Sequence, residues 1–191
     1  MTIGRPRRVA DADVMEAVRG ALLETGYARL TVADVARRLG VTPAAVGQRF
    51  GGKRDLMLAY FQMWNARAAE PATGSALDRL LQIALADVDE RGEPVAVANA
   101  LSAFVDVVGD PELRAVAQAA IRHQRSRYRS VLAEAMDAGL VPRGDPDRLA
   151  AVLAAGITGA QLHWAVMADR PRADAVREHV LAVVGRTEEG E

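Results

Sequence analysis

The sequence predicts an all-α protein: an N-terminal three-helix unit holding a helix-turn-helix, followed by a longer helical bundle. Three observations predict it. Half of the 191 residues are hydrophobic and only 4% aromatic, with a lean towards Ala, Leu, Val and Arg and few Thr, Tyr, Phe or Ile. Ala and straight-chain residues lose the least conformational freedom in helices. Apolar residues recur at helical spacing along most of the chain, between Gly- and Pro-containing breaks, without strand-like alternation or repeats. Near the N-terminus, two short helical patterns are joined by a Gly-containing turn, the arrangement of a helix-turn-helix.

Residues 1–8, MTIGRPRR, lack apolar periodicity and read as a basic arm carrying Arg5, Arg7 and Arg8. The first helix is expected to start near Asp11 or Asp13, with Asp13 and Glu16 spaced as a capping box. Val14, Ala17, Val18, Ala21 and Leu22 share one face of it, and Gly26 is expected to end it. Thr31 reads as an N-cap with Asp34 three residues on, opening a short helix through Leu39. Gly40 supplies a left-handed turn. Thr42 then caps the next helix, with Pro43 at its first position, and Phe50-Gly51-Gly52 closes it. Val32, Val35, Ala36, Leu39, Val41, Val46 and Phe50 face inward. Thr42, Pro43, Ala45, Gly47, Gln48 and Arg49 face outward, small or polar, as suits a surface entering a DNA groove.

A fourth helix, from Lys53 to about Ala69, is apolar nearly all round, through Leu56, Met57, Leu58, Tyr60, Phe61, Met63 and Trp64. Such a helix is buried on several sides. Further helices are expected at about 76–90, 94–108, 112–138, 146–168 and 172–185. Breaks at Pro71–Ser75, Gly92–Pro94, Gly109–Pro111, Gly139–Pro146 and Asp169–Pro171 separate them. The expected division is an arm and helix-turn-helix over 1–54 and a helical body over 55–187.

Net charge is −1, but it is unevenly placed: residues 1–58 carry 10 basic and 6 acidic side chains, and the remainder 14 and 19. A basic N-terminal block on an acidic body suits a protein that presents one end to a polyanion. The absence of cysteine excludes disulfides, thiolate nucleophiles and cysteine-based zinc sites. His123, His163 and His179 stand too far apart in sequence for a helical metal pair, and no HExxH or phosphate-cradling glycine loop occurs. No cofactor, metal or catalytic residue is therefore expected, and the protein does not read as an enzyme. The Arg-rich start lacks an apolar signal core, which points to the cytoplasm.

Gly26-Tyr27, then Thr31-Val32-Ala33-Asp34-Val35-Ala36, Leu39-Gly40-Val41-Thr42, Phe50-Gly51-Gly52-Lys53 and Leu56 stand in an order far more specific than a generic helix-turn-helix. Over about Val14 to Leu58, the chain resembles the DNA-binding domain of the TetR family. The resemblance implies a homodimeric, nucleoid-associated transcriptional regulator, a repressor released from a palindromic operator by an unidentified small-molecule effector. It implies that Thr31 meets a phosphate through its hydroxyl and amide, that Thr42, Ala45 and Gln48 face base edges, and that Lys53 binds a phosphate. Lys53 is the sole lysine among 24 basic residues, a compact ammonium kept where every other cation is arginine. One departure is Gly47, where the family commonly has an aromatic residue that touches the DNA backbone. Gln48 and Arg49 then carry more of the polar readout, Gln suiting adenine and Arg guanine. The arm of Arg5, Arg7 and Arg8 either follows the minor groove or backbone, or is a solvated tail.

Leu149 to Ala168 is twenty residues without a formal charge. That length suits a membrane span, but Thr158, Gln161, His163 and two glycines favour a helix buried between its own domain and a second subunit. Gly156, Gly159, Ala160 and His163 are the expected dimer interface. The resemblance also implies an effector pocket, for which Trp64, Asn99, Phe104, Gln118, His123, Gln161 and Trp164 are candidates. The run Arg122, Arg125, Arg127 and Arg129 suggests either an anionic effector or a solvated face. The alternatives are a small helical enzyme, which no motif supports, and a constitutive helix-turn-helix or architectural protein without an effector.

Overall fold

The computed structural model describes residues 9–66, 72–86, 88 and 92–185. These form α1 (Asp11–Arg29), α2 (Val32–Leu39), α3 (Pro43–Phe50), α4 (Lys53–Ala66), α5 (Ala76–Leu85), α6 (Pro94–Asp106), a 3-10 turn (Val107–Gly109), α7 (Pro111–Asp137), α8 (Pro146–Met167) and α9 (Arg172–Val183). No strand occurs among the described residues. Residues 67–69 of the expected fourth helix, residues 87, 89 and 90 of the expected fifth, and the arm arginines Arg5, Arg7 and Arg8 lie outside the described residues.

The starts of the helices follow from local hydrogen bonding. Thr31 and Asp34 form the expected reciprocal capping box, and Ser75 and Asp78 form another. Asp110 caps α7 and Asp145 caps α8, each followed by proline at the first helical position. Gly40 turns the chain in the left-handed conformation at φ 66°. Helix α1 starts at Asp11, within the expected range, and differs from expectation in its capping. Ala10 is its N-cap, and Asp13 accepts from the Ala10 amide instead of capping a later start. Gly26 is a break within the helix, at φ 70° and ψ 164°. That conformation is essentially restricted to glycine, and it closes the main run of α1 as expected, with a short helical stretch to Arg29 beyond it. Asn99 of α6 donates from Nδ2 to the carbonyls of Leu23 and Glu24, 3.0 and 3.2 Å away. Helix ends leave carbonyls without partners, so a side chain from another helix completes this one.

Two main cores fill the molecule. One joins Val14, Val18, Val35, Val46, Leu56, Met57, Tyr60 and Phe61 from α1–α4 to Val107, Leu113 and Ala117. The other gathers Leu80, Tyr128, Leu132, Leu153, Ile157, Val176 and Val180 from α5, α7, α8 and α9. Helix α7 spans both; its 27 residues reach about 40 Å at 1.5 Å per residue. A smaller cluster of Val97, Trp164 and Ala175 ties α6 to α8 and α9. The first core thus continues past residue 54 through α4 into the start of α7, which places α4 as a strut between the helix-turn-helix and the body.

Candidate nucleic-acid interface

Helix α3 offers the outward surface expected of it. Thr42, Pro43, Ala45, Gln48 and Arg49 are exposed, Gly47 is partly so, and Val46 alone is buried, at 3%. The Thr42 hydroxyl accepts from the Ala45 amide and fixes the start of the helix. A Cβ added at Gly47 would meet no heavy atom within 4 Å, so the space normally filled by a side chain is open.

Several of the polar groups are already engaged within the chain. Thr31 gives both its amide and its hydroxyl to Asp34 Oδ2, at 3.0 and 2.6 Å, and these bonds hold the Asp34 carboxyl below its ordinary pKa. The Asp34 amide is itself bonded to the Thr31 hydroxyl, so the donors open to an anion at that helix start are the Val32 and Ala33 amides. The Lys53 ammonium donates to the Ala28 carbonyl at 2.9 Å and lies 4.4 Å from the centre of the Tyr27 ring. Lysine has three donors, so the bond that anchors it on α1 leaves two. Arg49 donates to the Val9 carbonyl at 2.6 Å, pairs with Asp11 and lies over the Phe50 ring.

The seven residues expected to line an effector pocket are not brought together. Trp64 and Phe104 join one aromatic chain, Trp64–Tyr60–Phe61–Phe104, with centroid separations of 5.7–6.3 Å. Asn99 is spent on α1. Gln118 and His123 are exposed on α7, and Gln161 is half-buried on α8. Trp164 is buried in the α6–α8–α9 cluster and donates its indole N–H to the Arg170 carbonyl. A groove of about 330 Å³ does open between α7 and α8, lined by Arg122, Arg125, Ser126, Arg129, Asp147 and Ala150. It contains none of the seven.

The expected dimer residues also divide. Gly159 and His163 are exposed, and Ala160 is half-buried. Gly156 is covered by the His179 ring of its own chain, which packs on the glycine backbone. Gly156 therefore brings α8 and α9 together within one chain. Helix α8 is long and apolar enough to cross a membrane by length and composition, yet it lies along α6, α7 and α9. Its outward face carries Val152, Ala155, Gly159, Leu162 and Val166, with Val166 77% exposed.

Residues 14–60 match the model for bacterial regulatory proteins of the tetR family, and residues 75–187 match that for the C-terminal part of BetI-type transcriptional repressors. The chain belongs to the TetR family. An HTH-type transcriptional regulator of Mycobacterium tuberculosis is 32% identical over 120 residues, covering 62% of this chain and 58% of that protein's length. A structure from Rhodococcus sp. assigned to the TetR family is 26% identical, with a TM-score of 0.68 over 92% of this chain and 96% of its own. A TetR transcription regulator from Haloarcula marismortui shares the fold, with a TM-score of 0.71 at 21% identity over 92% and 96% of the two chains.

Two features of this TetR-family chain escaped the sequence reading. Arg54, next to Lys53, places Nε 2.6 Å from Asp110 Oδ2 and Nη2 3.0 Å from Oδ1, and reaches Glu112 at 2.9 Å. Its hydrogen bonds hold the Asp110 carboxyl down at about 2. Asn99 is the other. Both tie the DNA-proximal helices to the body, and neither carries a local signal, because the partners are 56 and 75 residues away in sequence.

Proposed function

We propose that this protein is a homodimeric repressor that grips a palindromic operator with two copies of α3 and is released by a small-molecule effector. It would act in the cytoplasm, at the nucleoid. The observation that supports this most directly is the exposed polar face of α3, held by the Thr42 cap and the buried Val46 on a helix-turn-helix of a TetR-family chain. In this reading residues 1–54 contact DNA and residues 55–187 form the effector-binding and dimerisation body. Gln48, with Thr42 and Ala45, faces bases. Lys53 and the amides at the Thr31 cap take phosphates.

The apolar stripe on α8 supports dimerisation. Val152, Ala155, Gly159, Leu162 and Val166 recur at intervals of three and four, and Gly159 permits close approach of a second helix. The effector is proposed to enter beside the aromatic chain, where Phe104 is 44% exposed. At the seam of α4 and α7 the buried Asn65 Oδ1 has no hydrogen-bond partner among the described residues, which favours a largely apolar effector bearing one donor.

The test is selection of duplexes from a random-sequence library, with light scattering on the free protein. A dimer that enriches a palindrome is the expected result, since two-fold protein symmetry is mirrored in half-sites. Gly159→Glu is expected to give monomers that lose it. Retention of all sequences alike would favour a constitutive architectural role and overturn the operator reading.

A further inference from the structure

We propose that the groove between α7 and α8 is a second ligand site, which takes a small organic dianion. It shares no residue with the aromatic chain beside which the effector is proposed to enter. Four of its six lining residues, Arg122, Arg125, Ser126 and Arg129, come from α7, and Asp147 and Ala150 come from α8. The volume between them is about 330 Å³, room for a small metabolite.

The charge of the α7 wall follows from its sequence. From Leu113 to Ala133 the helix has five arginines and no carboxylate, within a body that is acidic overall. Positions 122, 125, 126 and 129 have the spacing of three and four that puts side chains on one helix face. Three guanidiniums and a hydroxyl therefore line one row, about 10 Å long at 1.5 Å per residue. Like charges so placed repel one another.

Elsewhere the chain relieves such charge with carboxylates. Arg37 pairs with Asp34, Arg38 with Glu24, Arg79 with Glu134 and Arg170 with Glu178. In the groove Arg129 has a partner, donating from Nε to Asp147 Oδ2 at 2.9 Å. Arg122 and Arg125 are exposed and make no ion pair or hydrogen bond among the described residues. Three guanidiniums against one carboxylate leave a formal charge of +2, which a dianion neutralises. The planar guanidinium fork matches carboxylate and phosphate oxygens in pairs. The anionic head therefore belongs at Arg122 and Arg125, with the Ser126 hydroxyl beside it and the buried Ala150 as an apolar contact. A concave site with a carboxylate on one wall suits a small molecule better than a polyanion, whose neighbouring charges would meet Asp147.

The experiment is calorimetric titration of the full chain with glycerol 3-phosphate and with succinate, at fixed ionic strength because exposed charges are screened. The expected result is saturable one-to-one binding of at least one probe, with a Kd of about 1 mM or tighter. The tighter of the two identifies a phosphate monoester or a dicarboxylate as the preferred class. Arg122→Ala and Arg125→Ala should each weaken that binding about five- to tenfold. Arg114→Ala removes the same charge from α7 outside the groove and should leave it unchanged. Alanine favours helix, and the two groove arginines have no intrachain partner to lose, so circular dichroism should show an unaltered fold. Failure of both probes to saturate overturns the proposal. So does a loss from Arg114→Ala as large as those from the groove variants, which would mark a general charge effect along α7. A random DNA duplex that depends on Arg122 and Arg125, with neither small probe binding, would show a polyanion surface and overturn it too. None of these outcomes depends on α3, so failure here leaves the operator reading standing.

Discussion

Gly47 shows most directly how one residue sets the character of the DNA-facing helix. It sits in the interior of α3 with helical geometry and open space where a Cβ would stand, so it loses conformational entropy on folding with no steric benefit in the free protein. Gly47→Ala is expected to stabilise the fold by about 0.5–1 kcal/mol, seen as a rise in Tm of roughly 1–4 °C for a chain of this size. An unchanged or lower Tm would mean that the unfolded-state entropy of Gly47 is not what limits α3. The neighbouring side chains divide positioning from reading. Lys53→Ala should weaken binding to operator and random duplexes alike and reduce the salt slope by about 1. Gln48→Ala should cost about 1–3 kcal/mol on the selected duplex and spare random DNA. Equal losses on both kinds of DNA from both variants would refute the division.

At the scale of the element, α8 and α9 are held together by a contact that substitution can test. The His179 imidazole packs on the Gly156 backbone, its Nε2 has no hydrogen-bond partner among the described residues, and burial pushes its pKa below the ordinary value. Gly156→Ala should clash with this ring and destabilise by about 1–3 kcal/mol. His179→Ala in the same chain should restore much of that loss, a coupling that urea denaturation of the four-variant cycle would measure; additive effects would show that the ring moves aside freely. The pair also shows where sequence stops being legible. The caps and turn of the helix-turn-helix follow from local rules: Thr31 with Asp34, Thr42 with Pro43, and Gly40. These signals act within one turn of helix. Gly156 gave the same small-residue signal as Gly159, and only the tertiary register of α9 decides that one faces a histidine of its own chain and the other faces outward. The scattered effector candidates have the same cause: Trp64, Asn99 and Trp164 share a suitable residue type, and packing sends them to three different places.

Across the whole molecule, ties of different chemistry join the helix-turn-helix to the body among the described residues. Tyr60 and Phe61 of α4 bury against the start of α7, Asn99 of α6 completes the broken end of α1, and Arg54 grips the cap of α7 through Asp110 and Glu112. A ligand that releases the DNA would need to bind one of two conformations better than the other, and these ties are where a shift of α6 or α7 would reach the N-terminal helices. The ionic tie can be examined without an effector. Asp110 has its pKa lowered to about 2, by Arg54 first and by the amides of Leu113 and Glu112. The ordinary carboxylate value is about 3.9, so its contribution to stability is fully present above that value and is lost as pH falls towards 2. The half-buried His179 has the same sign over a higher range, since burial lowers its pKa and so removes stability as pH falls below its ordinary value of about 6.5. Asp110→Asn isolates the ionic part, because asparagine is as good an N-cap as aspartate. The variant should be less stable than wild type at neutral pH, and the two urea midpoints should converge as pH is lowered from about 4 to 2. Added salt at neutral pH should narrow the same gap, because exposed charges are screened. A gap that stays constant through acid would show that the Arg54–Asp110 pair contributes through packing alone, and would remove it from the route by which the body controls the helix-turn-helix.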